Sequence, residues 1–389
     1  MPRWRNWAGD QVCTPLLYDR PRDEDELADR VGRAARASHP VKAVGAGHSF
    51  TDAACTEGQM VCLDRMCSVL DVDRASGLVE VQGGIRLGAL GAALAGHGLA
   101  LENLGDVAYQ SLAGALSTAT HGTGLRYGNL SQQVEALRIV TAAGEVVTAS
   151  AAGDPDLFRA ARVGIGALGV ISSVTLRCVP SYTLRRVDDP LPLDEVLDSL
   201  DERVRAHDHF ELFTFPYTRT AFTRATDRVD AAPAPPSRAA RFLKDVVLEN
   251  AALGAVNRGA RVAPRLTPSL VRMLPRLSTR EERTDRSDLV FANARLVRFT
   301  EMEYAIPREH GAAAVRAIMD LVESRRLPVA FPLEVRCAPP DDAFLGPSFG
   351  RESCYVAVHV HRGTPFESYF RGVEKIMTGY GGRPHWGKR

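Results

Sequence analysis

Apolar positions along the first 180 residues recur in short runs that switch between helical and extended spacing. In PRDEDELADRVGRAARAS, residues 21–38, acids occupy the first turn and Asp23 and Glu26 stand at capping-box spacing. Leu27, Val31 and Ala34 share one face, so the pattern predicts a helix that Pro40 ends. PVKAVGAG then reads as a short strand running into a glycine turn. GLVEVQGG alternates as a strand and turns at Gly83 and Gly84, and IRLGALGAALAGHG predicts a small-residue helix ending at Gly96 or Gly98. Residues 101–128 carry little regular pattern; a loop of that length inside a compact domain is usually functional. VEALRIVTAAGEVVTAS predicts a hairpin turning at AAGE, and ISSVTLRCVP from Ile171 another strand.

After Pro180 the text changes to DDPLPLDEV, a proline-rich AAPAPPS at 231–237, a basic helical stretch, and the strand-like runs LVRFTEMEYAIPRE and LPVAFPLEVRC. A domain boundary near 180 follows, with Pro233 to Pro236 as a loop or linker inside the second domain. A length of 389 residues suggests two domains or three, and no repeat of 20 to 50 residues stands out. The balance of 45% hydrophobic and 24% charged residues is that of a soluble globular chain. A net charge of +1 gives no electrostatic reason to expect nucleic acid or an anionic membrane as partner, which points to a small-molecule substrate. The first twenty residues lack the apolar core of a secretory signal. The most apolar stretch, from Leu87, is interrupted by glycines, His97 and Glu102 before it could span a bilayer. Seven cysteines without a C-x-x-C pair read as free thiols of a reducing cytoplasm, with Cys62 and Cys67 the one close pair.

Three small-residue clusters carry the candidate chemistry: VGAGHSF at 44–50, SLAGALSTATHGTG at 111–124 and RVGIGALGVI at 162–171. Gly45 and Gly47 let the backbone approach a ligand closely, yet His48 sets a nucleophilic imidazole in the same loop. One glycine-rich turn is most often only a turn, and His121 is open to a purely structural role. If the three converge, they form a backbone-lined groove for an extended, phosphate-containing cofactor. GIGALG also fits G-x-G-x-x-G, with Asp188 near the distance of a ribose-binding acid, which raises a nicotinamide dehydrogenase as an alternative. That motif requires a strand before the glycines and a helix after them. Here DPDLFRAARV before them reads as a helix and VISSVTL after them as a strand, so close packing beneath a ligand is the better reading.

In the second domain, PLEVRC puts Glu334 and Arg336 on one face of a strand, either as a substrate-anchoring pair or as a cross-strand surface ion pair. His359 and His361 share a face in VHVHR, but no nearby acid or cysteine completes a ligand set, so no metal is expected. RPHWGKR brings His385, Trp386 and Lys388 together, which matters if this segment returns to the groove.

Together VGAGHSF, SLAGALSTATHGTG, RVGIGALGVI, LEVR and HWGK, in that order over nearly the whole chain, resemble the aldonolactone and alditol oxidases of the vanillyl-alcohol oxidase flavoprotein family. NWAG at 6–9 is similar to the start of bacterial members. The resemblance implies an α+β fold: an FAD-binding domain of two small subdomains over 1–180, and a cap domain with an antiparallel sheet flanked by helices over 181–370. A segment over 371–389 would return to the flavin. It further implies that Val44, Gly45, Ala46, Gly47, His48 and Ser49 form the cofactor loop, with His48 bonded to the flavin 8α carbon. Ser111 matches a serine touching substrate beside the flavin; Gly114, Ser117, Thr120, His121, Gly122 and Gly124 match the loop lining the cofactor. Gly164, Gly169 and Ile171 would pack along its adenosine half. Glu334 matches the acid acting on the reacting hydroxyl, Arg336 the cation supporting the reduced flavin, Lys388 a lysine at substrate and flavin, and His359 a pocket histidine.

The implied reaction is hydride transfer from L-gulono- or D-arabinono-1,4-lactone to FAD, giving an ascorbate-type product, with oxygen or another acceptor taking the electrons. An alditol such as xylitol or sorbitol is the alternative substrate, and a flavin-binding protein without catalysis the alternative class. Relatives usually continue some tens of residues beyond HWGK to complete the FAD domain, so the resemblance implies a further segment that this sequence does not contain.

Overall fold

The computed structural model describes residues 3–235, 237, 250–293 and 296–389. Pro236, within the expected linker, and the first part of the basic stretch lie outside the described residues.

Two main sheets build the first half, beside two short ribbons that pair Trp4–Arg5 with Val12–Cys13 and Leu99–Ala100 with Val179–Pro180. Strands Leu17–Asp19, Gln59–Cys62 and Val41–Val44 pair in parallel, in that order, beside the helix Glu24–Arg36. The Asp23 side chain accepts from the Glu26 amide at 2.8 Å, while Glu26 reaches back to the Arg22 amide rather than to the cap residue. The predicted stripe is buried, Leu27 and Val31 packing with Val61, Leu63 and Met66. Each such side chain contributes about 1.5–3 kcal/mol through burial.

The second sheet is antiparallel, in the order Val146–Ser150, Val134–Val140, Val170–Arg177, Leu78–Gln82, Val69–Asp73. Its predicted hairpin closes at AAGE, where Thr141 N donates to Glu145 O and Gly144 takes φ +81°. Helices Leu87–Gly96, Leu112–Ser117 and Pro155–Arg162 pack on it around Leu90, Leu116, Phe158 and Val174. GIGALG therefore lies between a helix and a following strand, so no helix N-terminus faces the glycines and the nicotinamide motif is absent there.

The second half is one antiparallel sheet of eight strands: Glu281–Arg286, Thr183–Pro192, Thr220–Val229, His209–Thr214, Leu333–Ala338, Ser353–His361, Phe299–Pro307 and Arg383–Pro384. Alternation along its strands gives it two different faces. Leu212, Met302, Ile306, Leu333, Val335, Val356 and Val358 pack against helices including Gly311–Ser324 and Glu367–Gly379. The intervening residues turn toward the first half, and Glu211, Glu301, Glu303, Glu334, Arg336 and His359 are buried among them. A buried polar face persists only if its groups satisfy one another.

The halves are joined by hydrogen bonds. Thr123 Oγ1 donates to Phe210 O at 2.7 Å, Gly124 N donates to Cys337 O at 2.8 Å, and Asn129 Nδ2 donates to Asp341 Oδ2 at 3.2 Å. The helix Glu367–Gly379 passes through residue 370 unbroken; beyond it the chain adds the edge strand Arg383–Pro384 and returns to the first half, where Phe50 N donates to Gly387 O at 2.7 Å. All seven cysteines are free thiols; Cys62 is buried and Cys67 exposed. Among the described residues no helix is long and apolar enough to cross a membrane.

Candidate active site

The strand Val41–Val44 delivers the chain into the glycine loop, and the surroundings show why small residues stand there. A Cβ on Gly45 would lie 1.9 Å from Ser111 Oγ, and Gly47, at φ +68°, passes against Trp4 and Asn6. Asn6 fixes the segment opposite: its Oδ1 accepts from the amides of Gly9, Asp10 and Gln11, and its Nδ2 donates to Ser49 O at 3.0 Å. Trp7 N donates to Gly47 O at 2.7 Å.

All three small-residue clusters meet along one groove of about 1060 Å³. Val44 through Ser49 line one side, Ser111, Gly114 and Ser117 another, and Gly169 and Ile171 the far end, with Ile165, Gly166, Gly84 and Arg86 adding to the wall. Gly122, Gly124 and Gly164 do not line it. Gly122 packs on Asn103 and Leu104, Gly164 on the helix before it, and Gly124 on the Asp208 carbonyl at the seam between the halves, so their small size serves packing.

His48 stands where this groove opens into a second chamber of about 830 Å³, which it also lines. Its ring stacks 5.3 Å from Trp7 and 6.5 Å from Tyr109. Burial, with the nearby Arg86 charge, lowers the imidazole to about 4, so it is neutral and nucleophilic at neutral pH.

The chamber wall opposite is the polar face of the eight-stranded sheet. It carries Glu301, Glu334, Arg336 and His359, and the returning tail adds His385 and Lys388. Glu334 pairs with Arg336; Arg336 Nε also donates to Glu211 Oε2 at 2.6 Å, and its guanidinium is 3.7 Å from Asp106. Burial disfavours the Arg336 charge, but Glu334 and Glu211 outweigh it and hold the group well above its ordinary value. The pair is thus a buried one rather than a surface pair.

Lys388 Nζ lies 2.6 Å from Glu301 Oε1 and 2.9 Å from Glu303 Oε2. Burial works against its charge, yet the two carboxylates raise it above the ordinary lysine value; in return, against the same burial, Lys388 and His359 bring Glu301 down to about 2. His385 beside them is lowered to about 3 by burial and by the Lys388 charge. Thr120 and His121 line this chamber rather than the groove. His121 Nδ1 donates to Gly122 O, its Nε2 meets Glu303 Oε2 at 3.2 Å, and its ring stacks 3.7 Å from Tyr355.

His359 Nδ1 donates to Pro332 O at 2.9 Å, leaving Nε2 3.4 Å from Glu301. Acids do therefore reach this histidine, from strands remote in sequence, while His361 stays outside the cluster. Two triads, His121 with Glu303 and His385 and Glu301 with Glu334 and His359, hold metal-ligand atoms within 4.8 Å of one another. The Lys388 ammonium already lies between them and supplies the positive charge that Glu301 and Glu303 require.

A family model described as D-arabinono-1,4-lactone oxidase matches residues 174–389, and one described as FAD binding domain matches residues 15–150. The chain belongs to the D-arabinono-1,4-lactone oxidase family. Within it, the chain is 50% identical over 388 residues to an L-gulono-1,4-lactone dehydrogenase of Mycobacterium tuberculosis, covering 100% of this chain and 90% of that protein. It is 35% identical over 393 residues to an L-gulonolactone oxidase of Mus musculus, covering 99% and 89%. In fold it superposes on a solvent-stable cholesterol oxidase with a TM-score of 0.81 at 18% identity, covering 99% of this chain and 86% of that one.

This member of the lactone oxidase family is thus an FAD-dependent oxidoreductase with the expected α+β architecture. FAD suits its groove: the walls are backbone and small side chains over an extended length, with Arg86 the cation beside them. Sequence reading missed Trp7, Arg86, Asp106, Glu211, Glu301 and Glu303. For the last two a signal existed, acids alternating with apolar residues in FTEMEYAIP; for the others the neighbours that make them part of the site are distant in sequence.

Proposed function

We propose that the protein oxidises a sugar-derived 1,4-lactone, L-gulono- or D-arabinono-1,4-lactone, in the chamber bounded by Glu334, Arg336 and Lys388. In this reading residues 1–180 hold FAD, 181–370 form the substrate side, and 371–389 close the site. The observation that carries it is the meeting of the backbone-lined groove with the charged chamber at a neutral, half-buried His48. His48 is then the point at which the 8α carbon of the flavin is covalently attached.

FAD, when bound, supplies the hydride acceptor. The chain's own groups position the substrate and manage charge. Ser111, at the groove, and His359, Glu334 and Lys388, in the chamber, offer hydrogen bonds to the hydroxyls of a small polyhydroxylated ring. The Glu334 carboxylate takes the hydroxyl proton of the carbon to be oxidised. Arg336, held charged by Glu334 and Glu211, provides fixed positive potential for negative charge that develops on the flavin side. Lys388, charged between Glu301 and Glu303, does the same from the tail.

The relatives described above carry lactone names, which favours a lactone over an alditol. One is named a dehydrogenase and the other an oxidase, so oxygen and a different acceptor both stand. Seven free thiols support a cytoplasmic location.

The test begins with flavin colour after acid denaturation and washing. Colour that stays with the polypeptide, and is lost in His48→Ala, is the expected result; colour that washes from the wild-type chain refutes the covalent bond but not the groove. Anaerobic bleaching by L-gulono-1,4-lactone and not by xylitol is expected next. Bleaching by xylitol alone would overturn the substrate, and no bleaching by either would make the protein a flavin binder. Peroxide formation separates oxygen from other acceptors.

A further inference from the structure

Arg336 borders two spaces at once. One is the substrate chamber; the other is a cavity of about 380 Å³ that Asp106, Arg186, Glu211 and Arg224 also line. Close packing therefore does not fix the guanidinium, which has room to leave the chamber. Its place is set by charged partners, and these reach well beyond the pair with Glu334.

The partners form a row across the sheet. Arg336 stands directly opposite Glu211, Glu211 opposite Arg224, and Arg224 opposite Asp188, in register on four adjacent strands. Residues placed in this way share a face and lie within side-chain reach. Every contact along the row is made. Arg336 Nε donates to Glu211 Oε2 at 2.6 Å; Arg224 donates through Nη1 to Glu211 Oε1 at 2.8 Å and through Nε to Asp188 Oδ1 at 2.8 Å. Arg186, two residues before Asp188 and on the same face, donates to Asp188 Oδ2 at 2.9 Å and to Asn293 Oδ1 at 3.1 Å. The Asn293 amide donates to the Asp106 carbonyl at 2.9 Å, and the Asp106 carboxylate lies 3.7 Å from Arg336, so the row closes into a ring. Arg224 and Asp188 lie outside the walls of both the groove and the substrate chamber.

We propose that Arg224, seated by Asp188, is a positioning residue for the oxidation described above: it holds Glu211 so that Arg336 keeps its charge turned to Glu334 and the substrate chamber. The division of the Glu211 carboxylate carries this. One oxygen is engaged by Arg224, which leaves the other for Arg336 Nε, while Arg336 Nη2 pairs with Glu334. Nε and Nη2 form one edge of the guanidinium, the edge that a free carboxylate grips with both oxygens. Without Arg224, Glu211 takes that whole edge, draws Nη2 off Glu334 and neutralises the charge offered to the flavin. Asp188 acts one step further out: by engaging Arg224 Nε it leaves Nη1 for Glu211.

This inference rests on the function proposed above, and its test separates the two. The midpoint potential of the flavin in the FAD-loaded protein, measured by equilibration with a reference dye, needs no lactone. It is expected to fall in Arg224→Met, and to be the same in Arg336→Met with and without Arg224→Met, because Arg224 acts through Arg336. The rate of anaerobic bleaching by L-gulono-1,4-lactone should fall about a hundredfold in Arg224→Met, the order expected for a misplacement of about 1 Å, with lactone affinity unchanged and with no further fall in the Arg336→Met background. Flavin content and melting temperature confirm folding, and Asp188→Asn, at a half-buried side chain, gives the same directions with smaller size if Arg224→Met does not fold. The proposal is overturned if Arg224→Met keeps the parent's potential and bleaching rate, or if the losses multiply in the double variant, since Arg224 would then act independently of Arg336. A parent protein that the lactone does not bleach refutes the function above, while the potentials still decide the role of Arg224.

Discussion

Lys388 is a positive charge that three groups around it have no means of replacing. It satisfies two buried carboxylates on one strand, Glu301 and Glu303, and it faces the chamber that also holds Glu334. Removing it leaves two like charges under the tail with one partner lost, which is the costly way to break a buried ionic cluster. Lys388→Met is therefore expected to lower stability at neutral pH by about 3 kcal/mol and kcat by about a hundredfold or more. Combining it with Glu301→Gln should recover part of the stability and none of the activity, read by thermal melting and steady-state kinetics. The same pairing sets an acid limit. Because Glu301 falls from 4.5 to about 2 on folding, the stability it adds is complete above the unfolded value and is lost as pH falls toward 2.

At the scale of single elements, the loop after the Glu334 strand holds an opposite case. Asp341 is buried, its Oδ1 has no hydrogen-bond partner among the described residues, and burial raises its carboxyl from 3.8 to about 6. The folded protein thus binds this proton more tightly than the unfolded chain. The cost of ionising it is present above pH 6 and fades as pH falls toward 4. Asp341→Asn is expected to raise the melting temperature at pH 7, with the gain shrinking at pH 5; a gain that grows on acidification would contradict the assignment. Elements of this kind also show what a sequence reveals. The Glu24–Arg36 helix, the AAGE hairpin and the loop around His48 were legible because their caps, turn glycines and nucleophile are neighbours in the chain. Glu334 and Arg336 were legible as a pair two residues apart, but whether they faced water depended on the opposing half of the molecule. Glu301 and Glu303 follow the same alternation and were read only as a strand. Their role rests on Lys388, which arrives from residues far along the chain, and Asp341 meets Asn129, a partner remote in sequence, as well as its own loop.

Across the whole molecule, the small-residue stretch 111–124 serves two masters, and reading all of it as cofactor lining missed the second. Its first part borders the groove, whereas Gly124, at φ +113°, lets the first half approach the Asp208 carbonyl and donate to Cys337. A Cβ there would lie 2.3 Å from that carbonyl, while one on Gly166, also at positive φ, would meet nothing. Gly166→Ala should therefore cost only the left-handed backbone strain, about 1 kcal/mol, and Gly124→Ala clearly more, because the two halves must also shift apart. Comparing the two melting temperatures checks this. The same long-range construction has a consequence in time. The groove is lined by residues made early, including His48, whereas Lys388, which brings the ammonium to the chamber, follows all eight strands of the large sheet in the chain. Domains fold as they emerge during synthesis. A nascent chain thus presents the cofactor groove before it presents the charge of the chamber, so on the function proposed above the place for flavin precedes the means of using it.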